Sequence, residues 1–508
     1  MTETPATVRP TTIDVYNPAD GTLAGQVINE SPARVVAAVQ QLRHAQTSWE
    51  AAGPRERIKW LMALQDWILD NARHISDVLQ SETGKSRADA SVEVPLIADA
   101  LRYWTTHAER FLRDDHPRSR SPLGIAKKLT VTYRPHPVVG IITPWNAPFV
   151  MAAQDAIPAL AAGASVLVKP SEVTPLSAVE FARGWREIGA PPVVALATGD
   201  GVTGAAVVDN VDFIQFTGST RTGRAIAQRC THRLIPYSLE LGGKDPALVF
   251  ADADLDRAAN GIAWGGMVNA GQVCISVERV YVEAPVYDEF VAKLTQRVAD
   301  ITQGQDTTAF RYDIGALATS GQRDIVQRHV DDAVADGATI RTGGKPTGVG
   351  TFFAPTVLTD VEQSMSCITE ETFGPTLPVI KVADEAEAIR LANDSRYGLS
   401  ASVWTGDRRR GERVARQLNV GAVNINDALA NPFIWDLPMG GWKESGVGAR
   451  SGGAYGIRKY CRPQAITAPR IRPARSELLW YPTSRLKSTL VEVVMRATAA
   501  RGRRRFGL

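Results

Sequence analysis

The chain has 508 residues, 44% hydrophobic and 22% charged, which is too long for one compact core and too apolar for a disordered segment. Its four cysteines (Cys230, Cys274, Cys367, Cys461) show no CxxC spacing and its seven histidines no HExxH pair, so a disulfide framework and a metal site are both unexpected and a reducing cytoplasm is the expected setting. The formal net charge of +3 divides into a mildly acidic body and a basic tail, since nine Arg and one Lys face two Glu from residue 470 onward.

No basic-then-apolar leader opens the chain and no apolar run is long enough to span a bilayer, so neither a secretory signal nor a membrane-spanning helix is expected. Ile58, Leu61, Leu64 and Ile68 recur at spacings of three and four and predict helices over 54–115. A polar, proline-containing bridge at 114–128 follows. The run VVGII at 138–142, stopped by Thr143-Pro144, reads as a buried strand. Then come a helix at 148–162, a strand at 164–169, a helix at 175–188, a strand at 192–197, a helix at 202–209 and a strand at 211–216. Such alternation implies a parallel sheet with helices on both faces. A second α/β block starts near Glu240, with strand 246–250, helix 254–269, strand 277–283 and helix 285–301, and continues to about 426. Segments 129–134 and 457–468 fit neither block and are expected to pair as an arm outside both.

Several short motifs carry possible chemistry. GDGVTG (199–204) matches GxGxxG but does not follow the first strand of the sheet. FTGSTRTG (216–223) follows a strand and opens a helix, where backbone N–H groups and Ser219 could meet a pyrophosphate; simple helix capping explains it equally well. In KPSE (169–172), Lys169 and Glu172 sit where ribose hydroxyls would bind, with solvated surface charge as the plain alternative. Glu240 in LELGGK (239–244) lies between leucines, and burial would raise its pKa toward that of a general base. Asn146 in PWNAP (144–148) offers an amide N–H to an oxyanion. GQVCISVER (271–279) places Cys274 at a loop–strand junction, although a free cysteine is more often a small buried hydrophobe. EETFGP (370–375) and PMGGWKESG (438–446) are turns punctuated by Gly and Pro.

Each motif alone is weak, but their order is specific. PWNAP, KPSE, FTGSTRTG, LELGGK, GQVCxxxxR, EETFGP, NDSRYGLSASVW and PMGGWKESG succeed one another as in the NAD(P)-dependent aldehyde dehydrogenase superfamily, which the chain resembles from about residue 12 to 468, and the pattern is also similar to its bacterial succinate-semialdehyde dehydrogenase-like group. The separation of Glu240 and Cys274 agrees as well.

The resemblance implies an α/β fold of two Rossmann-like parallel-sheet domains plus a β-arm for oligomerisation. Residues 1–128 and 141–240 would bind cofactor, 241–427 would form the catalytic domain, 129–140 and 456–469 the arm, and 470–508 a basic tail. It implies Cys274 as the nucleophile that adds to an aldehyde. Asn146 and the Cys274 backbone N–H would hold the thiohemiacetal oxyanion. Hydride passes to nicotinamide, and water activated by Glu240 hydrolyses the resulting thioester; relatives that pass the acyl group to coenzyme A lack this glutamate. Cofactor contacts are implied for Ile142, Thr143, Trp145, Lys169, Glu172, Gly218, Ser219 and Gly223, with Leu241 beside the nicotinamide, Glu371 on its ribose and Phe373 against its ring. Glu172 tilts the choice toward NAD, with NADP the alternative.

The family's substrate mouth falls at 427–435, where Phe433, Ile434 and Trp435 favour an apolar aldehyde, aromatic or aliphatic. Met151 and Gln154 are expected to line the same tunnel. Succinate semialdehyde is the alternative substrate, and a non-catalytic scaffold the rival of another class, opposed by the presence of both Cys274 and Glu240. After Gly448 many relatives read Arg-Glu and a Gly; this chain has Ala449-Arg450-Ser451-Gly452-Gly453, a departure expected to touch the subunit contact rather than the chemistry. A homodimer or homotetramer is expected. Behind Trp480 and Tyr481, the tail places Leu486, Leu490, Val493, Val494 and Ala497 on one helical face, which suggests peripheral contact with the inner face of an anionic membrane, or packing on a neighbouring subunit. Nucleic acid is not an expected partner, because no stacking platform accompanies the charge.

Overall fold

The strand Val138–Ile142 is apolar and buried at all five positions, as is proper to a parallel strand covered on both faces. It is the centre of a six-stranded sheet in a computed structural model that describes residues 11–473, 475–502 and 504. Expectations touching 1–10, 474, 503 and 505–508 lie outside the described residues. Ser165–Lys169 and Val194–Leu196 follow on one side of the central strand, and Phe213–Thr217 and Tyr237–Glu240 on the other, all parallel. The order therefore reverses beside Val138–Ile142, and a crevice opens at the carboxyl ends of that strand and Phe213–Thr217. Ligands of open α/β sheets bind at such a reversal.

A second sheet has seven strands in the order Thr339–Thr342, Thr356–Thr359, Thr376–Val382, Val277–Glu283, Asp245–Val249, Ser400–Trp404, Ala422–Ile425. Its first pair is antiparallel and the other pairs are parallel. Helix Arg87–Leu112 packs on helix Pro148–Ala162, and Trp49, Leu61, Trp104, Phe149 and Phe181 fill the core beside the first sheet.

Lys127–Pro135 pairs antiparallel with Cys461–Pro469 in a separate two-stranded ribbon, from Cys461 opposite Pro135 to Pro469 opposite Lys127. Pro463 is tolerated there because both strands of the ribbon are edges. Three local expectations need correction. Residues 138–140 belong to the six-stranded sheet and not to the arm, because their apolar faces need helices on both sides. Residues 457–458 close the short helix Gly453–Arg458, and the buried Ile457 and Tyr460 pack into the core. The helix expected to run to 269 stops at Met267, because Asn269, Ala270 and Gly271 take left-handed backbone angles (φ of 55°, 55° and 74°).

The strand Tyr237–Glu240 is too short to stand out by pattern. Its outer neighbour is supplied by Gly446–Val447, more than two hundred positions later, with Gly446 opposite Glu240. That return crossing brings the segment after PMGGWKESG up to Glu240.

Candidate active site

The run of left-handed residues sets the position of Cys274. A Cβ on Gly271 would lie 2.2 Å from the Gly374 carbonyl oxygen, so only glycine allows the loop to press against the EETFGP turn. Gln272 fastens the loop from inside: its side chain donates to the Asn269 carbonyl at 3.0 Å and accepts from the Ala318 N–H at 2.9 Å. The Gln272 carbonyl accepts from the side-chain amides of Asn146 (2.8 Å) and Asn269 (3.1 Å), and Asn269 also donates to the Asn146 carbonyl at 3.0 Å. Asn269 thus joins the helix start at Asn146 to the cysteine loop. Its sequence signal is slight: asparagine is one of the few residues at ease in the left-handed region.

Cys274 stands where two cavities meet. One, of about 260 Å³, is lined by Trp145, Asn146, Gly218, Ser219, Leu241, Glu371 and Phe373. The other, of about 560 Å³, is walled by Val92, Leu96, Val150, Trp264, Met267, Leu429, Phe433 and Trp435, and Met151 faces both. Burial pushes the Cys274 thiol up to about 12, with Glu240, Asp245 and Glu371 adding and Arg450 opposing. A protonated thiol in this state needs a base as it attacks.

Glu240 is fully buried, and neither carboxylate oxygen accepts a hydrogen bond from a side chain among the described residues, although the Gly441 backbone N–H acts on it. Burial lifts it to about 7, while Arg450, whose Nη1 is 4.0 Å away, and Lys459 pull it down against Asp155. A carboxyl poised at neutrality beside a thiol is suited to proton transfer.

The EETFGP turn is anchored by a buried ion pair, Lys244 Nζ to Glu278 Oε2 at 2.5 Å. Glu278 also accepts from the N–H groups of Thr372 (2.7 Å) and Phe373 (2.9 Å). The turn in this way presents Glu371, which accepts from the Gly243 N–H at 3.0 Å, and Phe373, whose ring meets Trp145 edge-on at 5.4 Å. Burial raises Glu371 to about 8, and Glu278 adds to the rise. Arg279, buried, donates to the Lys244 carbonyl at 2.7 Å and to the end of helix Glu385–Asn393, so it braces the fold away from either cavity.

Ile142, Thr143, Lys169, Glu172 and Gly223 do not line the small cavity but follow the crevice at the strand ends. Lys169 is buried and pairs with the half-exposed Glu172 at 3.1 Å. Ser219 accepts from the Thr222 N–H at 3.3 Å, capping helix Thr220–Arg233 at the mouth of the crevice. A Cβ on Gly223 would lie 2.6 Å from Leu241, which fixes the approach of helix to strand end. GDGVTG is a packed cap instead: Asp200 accepts from the Val202 N–H, and a Cβ on Gly199 would strike Thr203 and Asn29.

Met151, Gln154, Phe433 and Trp435 all lie on the large cavity, whereas Ile434, also expected there, does not line it. Sequence patterns gave no sign of the wall contributed by Val92 and Leu96 of helix Arg87–Leu112, nor of Arg450. That arginine, expected near a subunit contact, is 2% exposed and lines the cavity beside Cys274. Among the described residues no group of three His, Cys, Asp or Glu is arranged to hold a metal.

A crevice of dinucleotide type that opens on a thiol, with a neutral-range carboxyl beside it, has the parts of an oxidoreductase working through a covalent acyl group. Comparison with known proteins agrees. The model of the aldehyde dehydrogenase family matches residues 6–466. A Mycolicibacterium smegmatis protein provisionally named an NADP-dependent succinate-semialdehyde dehydrogenase is 42% identical over 442 residues, 86% of this chain and 85% of that one. The 4,4'-diapolycopene aldehyde oxidase of a Methylomonas species is 40% identical over 478 residues, 93% of this chain and 89% of its own. Among solved structures, lactaldehyde dehydrogenase from Escherichia coli superposes with a TM-score of 0.87 at 34% identity, covering 90% of this chain and 96% of that one. A betaine aldehyde dehydrogenase variant from Staphylococcus aureus in complex with NAD+ gives 0.86 at 32% identity, over 92% and 94%.

The chain belongs to the aldehyde dehydrogenase family. It is an NAD(P)-dependent oxidoreductase that oxidises aldehydes, with the α/β architecture of that family. Its own residues fit the cofactor: the Thr143 hydroxyl is buried in the crevice without a partner among the described residues, and the first turn of helix Thr220–Arg233 opens on the same crevice.

Proposed function

We propose that this protein oxidises an apolar aldehyde, aliphatic or aromatic, to its carboxylic acid, with NAD as the preferred cofactor. The observation that carries the substrate reading is the large cavity ending at Cys274. Its walls are mainly apolar, and its buried cations already have partners: Lys85 pairs with Glu93, and Arg450 faces Asp155. Among the described residues, an anionic substrate would find no unpaired buried cation there.

In this mechanism Cys274 Sγ adds to the aldehyde carbon as its proton passes to the Glu240 carboxylate and on to solvent, giving a thiohemiacetal oxyanion. One N–H of Asn146 is held by the Gln272 carbonyl, which orients the amide, and the other is offered to the oxyanion together with the Cys274 backbone N–H. NAD(P)+, when bound through the crevice residues, Glu371 and Phe373, supplies the two-electron acceptor. Oxidation leaves a thioester on Cys274. Glu240 then takes a proton from water as the water attacks the thioester carbon, and acid and thiol are released. Glu172, half-exposed at the strand end, would repel the 2′-phosphate of NADP, which is the reason for preferring NAD.

Decanal, benzaldehyde and succinate semialdehyde, each assayed with NAD and NADP by absorbance of the reduced cofactor, test both choices. The expected ranking of kcat/KM puts decanal or benzaldehyde with NAD first, by about tenfold or more. A preference for succinate semialdehyde would overturn the apolar reading in favour of a second one. That reading has its own support: the M. smegmatis relative bears that substrate in its name, and the exposed Arg297 stands on the cavity rim. In that case Arg297→Ala would raise KM for succinate semialdehyde alone.

The tail extends the apolar reading. Helix Arg485–Ala499 exposes Leu486, Leu490, Val493 and Met495, and Trp480 and Tyr481 are exposed just before it, amid basic side chains. No helix among the described residues is long and apolar enough to cross a membrane. We infer a cytoplasmic enzyme, a dimer or tetramer joined through the two-stranded arm, that rests on anionic lipid where apolar aldehydes partition. Co-sedimentation with vesicles of phosphatidylglycerol and phosphatidylcholine is expected for the full chain and lost on truncation at 470. Equal pelleting of both would contradict the tail's role.

A further inference from the structure

Arg450 occupies a place that neither the motifs nor the mechanism above accounts for. Its guanidinium is buried between two carboxylates, with Nη1 4.0 Å from Glu240 Oε1 and Nη2 3.8 Å from Asp155 Oδ2. The Gln154 amide, in the orientation that satisfies both groups, accepts from Nη2 at 2.6 Å and from Nε at 2.9 Å. The Met151 sulfur caps the same edge. Asp155 is itself held by the Tyr460 hydroxyl at 3.2 Å and faces Lys459 Nζ at 3.5 Å. Lys459 is tied to Gln215 at 2.7 Å and to the Arg450 carbonyl. The guanidinium is therefore fixed from behind and turned toward Glu240, which lacks any other side-chain partner among the described residues.

We propose that Arg450 is a positioning residue for the hydrolytic half of the reaction: clamped by Asp155 and Gln154, it holds the Glu240 carboxylate ionised and aimed while the acyl group waits on Cys274. A buried carboxylate with no counter-charge would stay protonated through the neutral range and could not take a proton from water. The charged groups facing Glu240 are Arg450 and Lys459, which favour its ionised form, and Asp155, which disfavours it; Cys274 also lies within electrostatic reach. Burial brings Lys459 down to about 8, so near neutrality Arg450 is the one of the two whose charge does not change with pH. Asp155 thus has two effects: it fixes the guanidinium and it draws part of the field away from Glu240.

The inference rests on Glu240 being the base, and its test separates the two. Protein quenched at successive times after a single turnover with decanal and NAD+ is weighed by intact mass, and the decay of the acyl-enzyme is followed from pH 5.5 to 9. Glu240→Gln is expected to abolish the rise of decay rate with pH; if it decays as wild type does, the base assignment itself fails. With that control in place, Arg450→Met is expected to move the rise to higher pH by about one unit, a loss of about tenfold in rate on the acid side. Arg450→Lys should keep the rise near its wild-type position. Asp155→Asn should move it the opposite way, to lower pH.

A merely structural arginine would lower rates evenly, without moving the profile. An unmoved profile in folded Arg450→Met would therefore overturn the proposal. If that variant does not fold, Arg450→Gln decides in its place, and an unmoved profile there would overturn the proposal equally. A raised KM for succinate semialdehyde without a shifted profile would make Arg450 a substrate anchor instead, and would also count against it.

Discussion

Cys274→Ala is expected to abolish aldehyde oxidation, by about four orders of magnitude or more in kcat, while leaving the fold intact. The scale follows from the reaction type. Without a sulfur to add to the carbonyl there is no thiohemiacetal, and oxidation would have to proceed from a hydrated aldehyde for which the site offers no nucleophile. The fold survives because Cys274 is partly exposed at the junction of two cavities, and its loop is held by other groups: the left-handed Asn269, Ala270 and Gly271, the Gln272 side chain, and the amides of Asn146 and Asn269 on the Gln272 carbonyl. None of these uses the sulfur. Thermal unfolding within a few degrees of wild type, with activity gone, is the expected pair of results. A variant that keeps even a hundredth of the activity would exclude Cys274 as the nucleophile.

Glu240→Gln has the second largest effect, and it should divide the reaction. Addition and oxidation continue more slowly, whereas hydrolysis of the thioester falls by about two to four orders of magnitude. Mixing the variant with aldehyde and NAD+ should give a burst of reduced cofactor close to one per subunit, followed by near arrest. In the wild type the carboxyl works as a base only when ionised, so hydrolysis should rise with pH through about 7 and then level off.

The same residue bears on stability. Its folded pKa of about 7 exceeds the value of 4.5 expected for an unhindered glutamate, so between those pH values the folded state binds the extra proton. Stability therefore falls as pH rises through that window, and the ionised carboxylate costs about 3 kcal/mol above it, as an order of magnitude. Glu240→Gln, neutral at every pH, should raise Tm at pH 8 and change it little at pH 4.5. Gain of stability on removing the working group is a common trade in active sites.

The helix–strand alternation from 138 to 301 is legible in the sequence because parallel strands covered on both faces are short, unbroken apolar runs between glycines and prolines. The arm is legible for the opposite reason: 129–134 and 457–468 fit no such run, although the second of these begins its strand only at Cys461. The positions of Cys274, Glu240 and Asn146 along the chain could be taken from motif order, since each sits beside a turn that the backbone requires. What could not be read depends on distant pairings. Tyr237–Glu240 is a strand only because Gly446–Val447 returns to cover its edge, and that return carries Arg450 into the cavity. Ile434 and Phe433 look alike in sequence and are about equally exposed, yet only Phe433 lines the cavity: it closes the short 3-10 turn Asn431–Phe433, and Ile434 leaves that turn in an extended conformation. The Lys244–Glu278 pair joins two motifs through a buried contact that no local pattern announces.

The central claim is that an apolar aldehyde becomes an acyl group on Cys274, and intact-mass analysis of protein quenched during turnover of decanal with NAD+ tests it most directly. The expected result is a decanoyl adduct mapped to Cys274, faint in the wild type, nearly stoichiometric in Glu240→Gln and absent in Cys274→Ala. Consumption of decanal with no adduct on Cys274 in either the wild type or Glu240→Gln would contradict it.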